Sequence, residues 1–191
     1  KKNSYISQIP VSDFKVFDFL SQHLPENIQL QVSNSSPIRD IQLVNINKTI
    51  EVFCNRGTSG IDGSTSTAIG AAVANEKPTI LITGDISFLY DSNALWNNYI
   101  PKNFKIILIN NNGGGIFRIL PGHQENETFN TFFETSHHLT AEHLAKMYQF
   151  KYVTVSNENE LESVWNLFIS DVYEPAILEI FTPEKLNNSI L

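Results

Sequence analysis

Two short polar strings in the sequence each follow an apolar run that is typical of a buried strand. These strings are residues 84–87 (GDIS) and 110–113 (NNNG), and a helix-length segment separates them. In a parallel sheet both strings would leave at the same edge, and such sheets bind ligands at the carboxyl ends of their strands. Asp85, an Asn side chain and a backbone carbonyl could there ligate Mg²⁺, which takes oxygen ligands and keeps positions for phosphate. The pattern therefore predicts a site for magnesium and a diphosphate.

Each string also has a simpler interpretation. Asp85 stands where a helix would begin, and Asp is a common N-cap residue. The three Asn residues at 110–112 are typical of turns, because Asn tolerates left-handed backbone geometry. The three glycines at 113–115 fit a flexible loop as well as a phosphate contact. Gly84 and Asp85 in combination with the Asn run after the next strand favour the metal site over these alternatives.

Helical and strand patterns alternate along the chain, as they do in parallel βαβ units. The alternation predicts a single three-layer α/β domain over residues 1–191, with a mostly parallel sheet of about six strands flanked by helices. Helices are predicted at 11–24, 37–43, 64–75, 87–99, 140–149 and 157–170, and strands at 28–32, 50–54, 79–83, 105–109, 151–155 and 176–181.

The remaining segments carry more specific predictions. Trp96 is expected to be one of the buried apolar residues of the helix at 87–99. Asn157 has the spacing of a capping box with Glu160. The stretch 113–133 is too long and irregular for a simple connection, which indicates a functional loop. The polar tail from Thr182 is expected to be mobile.

Composition argues against several classes of protein. The chain has 191 residues and a formal net charge of −7, whereas a nucleic-acid surface usually carries a basic excess. No apolar run approaches the roughly 20 residues that cross a bilayer. The single Cys54 suits a reducing cytoplasm, and its apolar surroundings favour packing over a nucleophilic role. We therefore expect a cytoplasmic protein with no nucleic-acid partner and no membrane span.

The two polar strings resemble the cofactor motif of thiamine diphosphate enzymes, which opens with Gly-Asp and closes with paired Asn. Most members of that superfamily have Gly at the third position, where this chain has Ile86 followed by Ser87. Together with residues 55–63 (NRGTSGIDG) and 113–117 (GGGIF), this variant resembles one branch, the 2-succinyl-5-enolpyruvyl-6-hydroxy-3-cyclohexene-1-carboxylate synthases of menaquinone biosynthesis. The likeness runs from about residue 34 to residue 120 and is weaker on either side. Because those enzymes are much longer, the chain resembles only their C-terminal, diphosphate-binding domain.

The resemblance implies a set of ligands for the cofactor and its metal. The metal would be Mg²⁺, or Mn²⁺ in its place, held by the side chains of Asp85 and Asn111 and by the carbonyl of Gly113, with Asn112 as the alternative if the motif slips by one residue. The amides of Ile86 and Ser87 would start a helix and point toward the diphosphate. Contacts to thiamine diphosphate would come from Asn34, Ser35, Gly84, Asp85, Ile86, Ser87, Asn111, Gly113, Gly114 and Ile116.

The resemblance also implies a substrate pocket. Arg39 and Arg56 match positions that hold substrate carboxylates, for which the planar guanidinium group is well shaped. Ile61 would support the bent cofactor, and Phe117 and Leu120 would line the pocket.

By the same resemblance, the whole enzyme decarboxylates 2-oxoglutarate and adds the resulting carbanion equivalent to isochorismate. The Glu that activates the cofactor belongs to a pyrimidine-binding domain of a partner subunit in a homo-oligomer. Nothing in this chain resembles that domain, so no catalytic acid or base is assigned here, and the chain alone is expected to fold but to be inactive. Two alternatives stay open: a domain of an acetolactate synthase-like enzyme, and a non-catalytic diphosphate-binding module.

Several other polar residues have ordinary interpretations. His137, His138 and His143 lack the spacing of a zinc-binding helix, so a metal role is not expected. His123, in the long loop, has a better chance of facing the pocket. Asp62 is expected to cap a helix.

Overall fold

The computed structural model describes residues 5–190, and its centre is a six-stranded sheet in which every pairing is parallel. The strand order is β2-β1-β3-β4-β6-β5. The strands are β1 (Gln29–Val32), β2 (Glu51–Phe53), β3 (Thr79–Gly84), β4 (Lys105–Asn110), β5 (Lys151–Val155) and β6 (Ala176–Phe181). The order changes direction at β1, and ligands bind beside such a switch point in open α/β sheets.

Helices connect the strands and cover both faces of the sheet. Those that bear on the site are α1 (Asp13–His23), α2 (Ser36–Ile41), α3 (Ser64–Ala74), α4 (Asp85–Tyr90) and α5 (Ile116–Ile119). The others are α6 (Glu142–Met147), α7 (Glu158–Ser170) and α8 (Asn187–Ile190), with a 3₁₀ turn at Ser92–Trp96 and a π-helical turn at Phe129–Glu134.

Two hydrophobic clusters lie on opposite sides of the sheet. Successive strand residues point to opposite faces, so Ile82 packs in one cluster with Phe17 of α1, whereas Leu81 packs in the other with Ala68 of α3. The central strands β3, β4 and β6 are buried almost throughout, as expected when helices cover both faces. The predicted three-layer α/β architecture is confirmed.

The register of the central strands brings the two polar strings to one level. Gly84 at the end of β3 pairs with Ile109 near the end of β4. Asp85 and Asn111 therefore leave the sheet beside each other, at the carboxyl edge.

Local capping also follows the sequence. The Asn157 side chain accepts a hydrogen bond from the backbone N–H of Glu160 at 3.2 Å, so the predicted cap of α7 is confirmed. The expected cap by Asp62 is wrong: Gly63 occupies the N-cap position of α3, and no side chain caps it. A left-handed backbone at Gly63 (φ 70°) starts this helix instead.

Two segments differ from their predicted form. The helix expected at 87–99 ends at Tyr90, because the Asp91 carboxylate accepts hydrogen bonds from the backbone and the hydroxyl of Ser66, both at 2.6 Å, and holds the chain there. Trp96 is consequently 70% exposed, so its expected burial is wrong. The loop at 113–133 contains α5 and most of the π-helical turn.

The tail from Thr182, expected to be mobile, makes buried contacts with the rest of the domain. Thr182 and Asn187 are both buried, and α8 forms within the tail. Both residues make hydrogen bonds to Asp13 at the start of α1. Within residues 5–190, each helix is too short or too polar to traverse a lipid bilayer.

Candidate magnesium and diphosphate site

A cavity of about 360 Å³ opens at the carboxyl ends of β1, β3 and β4. This position is the switch point of the sheet, where ligand sites are expected. Most of the cofactor and substrate residues predicted from the sequence line this cavity: Asn34, Ser35, Ile61, Gly84, Asp85, Ile86, Ser87, Asn111, Gly113, Gly114 and Phe117.

Asp85 links the two polar strings directly. It is 4% exposed, and its Oδ2 accepts a hydrogen bond from the backbone N–H of Gly113 at 3.0 Å. Its Oδ1 accepts from the N–H of Ile86 at 2.7 Å. The carboxylate is therefore fixed between the end of β3 and the loop after β4. The N–H of Ile86 is occupied by this bond, so it does not point toward a diphosphate as the sequence suggested.

Asn111 presents its amide in a defined orientation. Its Nδ2 donates to Oδ2 of Asp13 at 2.8 Å. No donor among residues 5–190 is hydrogen bonded to Asn111 Oδ1, so this oxygen is available to a ligand. Asn112, the alternative ligand, has a left-handed backbone (φ 64°) and does not line the cavity.

Gly113 occupies a position that only glycine fits. Its φ is 153°, and a Cβ there would lie 2.7 Å from the carbonyl oxygen of Glu134. The same carbonyl accepts a hydrogen bond from Gly114 at 2.6 Å. Glu134 is held in turn by a buried ion pair with Arg118. The π-helical turn thus packs against the glycine loop, whose Gly113 N–H is hydrogen bonded to Asp85.

The oxygen atoms of this corner suit a hard cation. A carboxylate from Asp85, an amide oxygen from Asn111 and the Gly113 carbonyl are ligands that Mg²⁺ prefers, and they leave room for phosphate oxygens. We call these three residues the metal end of the cavity. Among residues 5–190 there is no group of three or more His, Cys, Asp or Glu residues that could hold a metal.

His137 lies next to the metal end. Its Nε2 is 3.3 Å from Asp85 Oδ2. The Nδ1 atom accepts a hydrogen bond from the N–H of Leu139 at 3.1 Å, so Nε2 carries the proton in the neutral ring. No sequence pattern predicts that this histidine lies beside Asp85. His123 packs against Phe129 and lines a separate cavity.

The loop after β1 is organised by Asn34. Its Nδ2 donates to the carbonyls of Asn55 and Gly60 at 2.5 and 2.6 Å. Its Oδ1 accepts from Cys54 Sγ at 3.3 Å and from Arg56 Nη1 at 3.2 Å. The Asn34 side chain therefore anchors the 55–60 loop, and it is not free to reach a diphosphate. Cys54 is half-buried, and burial raises the pKa of its thiol, which suits the expected packing role.

Two predicted substrate residues, Arg39 and Arg56, lie at the mouth of the cavity and do not form its wall. Leu120 instead lines the separate cavity that contains His123. Arg39 and Arg56 are exposed, and Leu120 is 44% exposed. Arg39 donates to the carbonyl of Ser35 at 2.7 Å and Arg56 donates to Asn34, so both arginines are tethered to wall residues. We call Arg39 and Arg56 the rim. Ile116, expected to contact the cofactor, is buried and does not line the cavity.

Two buried carboxyl groups in the cavity wall were missed from the sequence. Asp13 is 3% exposed and Asp40 is 1% exposed. Burial raises the pKa of Asp13 and, with the nearby charge of Asp13, raises the pKa of Asp40 to about 8. A signal for Asp13 existed: it lies one helical turn before Phe17, on the apolar face of α1, where a charged residue is unusual.

Comparison with known proteins agrees with this geometry. Residues 40–180 match the family model described as thiamine pyrophosphate enzyme, C-terminal TPP binding domain, and the chain therefore belongs to this family of cofactor-binding domains.

Individual relatives narrow the comparison. The chain is 66% identical, over its whole length, to the 2-succinyl-5-enolpyruvyl-6-hydroxy-3-cyclohexene-1-carboxylate synthase of Flavobacterium johnsoniae, and covers 34% of that protein. The same enzyme of Flavobacterium psychrophilum is 65% identical and that of Christiangramia forsetii 51% identical, with 34% and 33% of those proteins covered. The chain spans about a third of the length of the curated relatives it matches. The resemblance drawn from the motifs is confirmed.

Proposed function

We propose that this chain is the part of a 2-succinyl-5-enolpyruvyl-6-hydroxy-3-cyclohexene-1-carboxylate synthase that binds the diphosphate of thiamine diphosphate through one Mg²⁺. The observation that carries the proposal is the hydrogen bond between Asp85 Oδ2 and the Gly113 N–H, which joins the two halves of the motif at one sheet edge. Two further oxygens support the proposal: Asn111 Oδ1, which no donor of residues 5–190 occupies, and the Gly113 carbonyl, which accepts one hydrogen bond from the Gly115 N–H at 3.0 Å.

The residues have separate tasks in this proposal. When bound, thiamine diphosphate supplies the nucleophilic carbon and the electron sink for decarboxylation and carbon–carbon bond formation. Asp85, Asn111 and Gly113 hold the cation. Mn²⁺ is expected to bind at the same position when it is supplied instead of Mg²⁺. Ile61 and Phe117 form an apolar wall that limits water. The Ser87 hydroxyl donates to the carbonyl of Ile61 at 2.5 Å and so fixes that wall to α4.

The rim accounts for the proposed substrates. 2-Oxoglutarate and isochorismate each carry two carboxylates, and Arg39 and Arg56 are cations tethered beside the cavity mouth. Guanidinium groups pair with carboxylates through two parallel hydrogen bonds. We assign substrate carboxylate binding to these two arginines, with Leu120 as an apolar contact.

A partner subunit completes the site in this proposal. Tyr90 and Phe132 line the cavity yet are 68% and 76% exposed, and Trp96 and Tyr99 are 70% and 66% exposed. Contiguous exposed apolar patches mark contact surfaces, and Tyr90 and Phe132 belong to the same cavity. We propose that the pyrimidine-binding domain of a partner subunit, which carries the activating Glu, packs over the cavity in a cytoplasmic homo-oligomer. The 191-residue chain alone would then be inactive.

The test is a titration of thiamine diphosphate into the full-length protein that carries this chain, with Mg²⁺, with Mn²⁺ and with a chelator. Binding with either metal and its loss with the chelator are expected. Turnover is then measured with isochorismate and either 2-oxoglutarate or pyruvate. Turnover of pyruvate alone would favour an acetolactate synthase-like enzyme. Metal-dependent binding of any diphosphate without turnover would favour a non-catalytic module, and turnover by the isolated chain would contradict the partner requirement.

A further inference from the structure

Asp13 contacts a proposed metal ligand from a distant part of the chain. It lies 98 positions before Asn111 in the sequence, in the first turn of α1, and its Oδ2 accepts the hydrogen bond from Asn111 Nδ2 at 2.8 Å. Both side chains are buried. Neither the motif nor the comparisons assign any role to Asp13.

A carboxamide needs such a partner if it is to bind a cation. Its oxygen and its NH₂ group have nearly the same shape, and a half turn of the amide exchanges them. The oxygen can ligate Mg²⁺, whereas the NH₂ group is a donor only and would face the cation with positive hydrogens. The orientation of Asn111 therefore decides whether the metal end has three ligands or two.

We propose that Asp13 is a positioning residue that holds the Asn111 amide with its oxygen toward the cation, an inference that rests on the proposed magnesium site. Oδ2 of Asp13 receives the NH₂ group, so Asn111 Oδ1 is turned away from Asp13. Residues behind metal ligands commonly fix ligand orientation in this way.

Asp13 is itself held from two sides by the tail. The Thr182 hydroxyl is 2.5 Å from Asp13 Oδ1, and the backbone N–H of Asp13 donates to Asn187 Oδ1 at 2.9 Å. The Asn187 bond fixes the backbone of Asp13, and the Thr182 bond occupies the carboxyl oxygen that Asn111 does not use. A proton on Oδ1 would leave Oδ2 as an acceptor, so the orientation of the amide does not depend on the charge of Asp13.

Conservative and disruptive variants separate this role from simple packing. Asp13→Leu removes the acceptor and should weaken Mg²⁺ binding, measured at saturating thiamine diphosphate in the full-length protein, by about 10- to 100-fold. Asp13→Asn can still offer an oxygen to Asn111 and its NH₂ group to the Thr182 oxygen, and should stay within about 3-fold of wild type. Thr182→Val is the matched control, because it removes a hydrogen bond to the same carboxyl group and spares the Asn111 contact.

An exchange of the two groups is the sharper experiment. Asn111→Asp alone places two carboxyl groups face to face and should weaken Mg²⁺ binding. The double variant Asp13→Asn/Asn111→Asp restores a donor opposite an acceptor and should recover at least about 10-fold of the lost affinity. The exchange also tests the proposal if Asp13→Leu fails to fold.

The outcomes separate the two proposals. If the wild-type protein shows no Mg²⁺-dependent cofactor binding, the proposed function itself fails. If the wild type binds but folded Asp13→Leu binds Mg²⁺ equally well, or Thr182→Val loses as much affinity as Asp13→Leu, the positioning role is overturned. Absence of recovery in the double variant would overturn it as well.

Discussion

The metal end and the rim of the cavity differ in how firmly this chain holds their side chains. At the metal end, Asp85 and Asn111 are buried, and each makes a hydrogen bond to a different segment of the chain. At the rim, Arg39 and Arg56 are exposed, and each is tethered by one hydrogen bond. In the proposed function, the chain therefore builds the diphosphate side of the site by itself and leaves the substrate side open to a second surface.

This difference has a physical basis. A metal site must hold several oxygens in one geometry before the cation arrives, which requires buried groups with fixed partners. The role proposed for the two arginines needs water access until the substrate enters. Variants at the two ends should therefore fail in different ways, with cofactor affinity lost at the metal end and substrate affinity lost at the rim.

The largest effect is expected from Asp85→Ala. Removal of the carboxylate takes away one metal ligand and the acceptor for the Gly113 N–H, and Mg²⁺-dependent thiamine diphosphate binding should fall by more than about 100-fold, since even residues behind metal ligands typically contribute 10- to 100-fold. Calorimetric titration measures this loss. Asp62→Ala is the control, because Asp62 is an exposed carboxylate and should leave binding unchanged. Equal binding by Asp85→Ala would reject the metal end.

A different failure is expected at the rim. Arg56→Ala should raise the KM for 2-oxoglutarate or isochorismate by about 10- to 100-fold, since a hydrogen bond to a charged group contributes roughly 1.5–3 kcal/mol. Its affinity for magnesium and thiamine diphosphate should stay near the wild-type value. Arg39→Ala should likewise raise the KM and leave the cofactor affinity near the wild-type value. Steady-state kinetics gives the KM, and calorimetry on the same preparation gives the cofactor affinity. A loss of cofactor affinity as large as the rise in KM would contradict the difference between the metal end and the rim.

The metal end was predictable because its residues lie next to strand ends in sequence. Once the apolar runs are assigned to parallel strands, the register of β3 and β4 places Asp85 beside the loop after β4. The same logic gave the three-layer fold, since β3 and β4 are too short and too apolar to be anything but buried strands.

The supporting contacts were not predictable, because they join distant segments. Asp13, Thr182 and Asn187 meet only after the tail folds back along the start of α1. The helix break after Tyr90 depends on Asp91 meeting Ser66 from α3, and no local pattern encodes that pairing. Periodicity indicates which face of a helix is buried, but not which polar groups end up opposite one another.

Gly113→Ala tests how tightly the glycine loop supports the metal end. A Cβ would lie 2.7 Å from the Glu134 carbonyl, on a backbone with φ 153°, so the loop must shift. A cost of about 1–3 kcal/mol is expected, which corresponds to about 5- to 100-fold in cofactor affinity if it falls on the bound state. Gly122→Ala is the control, because Gly122 has φ 86° but open space around its Cα. Cofactor titration should show a lower affinity for Gly113→Ala and an unchanged affinity for Gly122→Ala. Equal losses in the two variants would mean that backbone strain, and not the Glu134 contact, causes them.

The last prediction concerns folding stability and not binding, and it rests on Asp40, whose pKa is raised to about 8 from 3.8 by burial, with a further contribution from the charge of Asp13. Because the folded state then binds the proton more tightly than the unfolded state, the contribution to stability is complete below pH 3.8 and is lost as pH rises through about 8. Arg39 opposes the shift only in part. Within that window, each pH unit should lower the unfolding free energy by up to about 1.4 kcal/mol.

Asp40→Asn removes this titration and keeps the shape of the side chain. Thermal unfolding between pH 5 and pH 9, without metal or cofactor, should show wild type losing stability relative to Asp40→Asn as pH rises. Asp62→Asn provides an exposed comparison and should run parallel to wild type. Asp40 lies in the cavity wall near Arg39. If the stability difference between wild type and Asp40→Asn did not change with pH, this part of the wall would be as accessible to water as the rim, and the contrast between a buried and an open part of the cavity would not hold here.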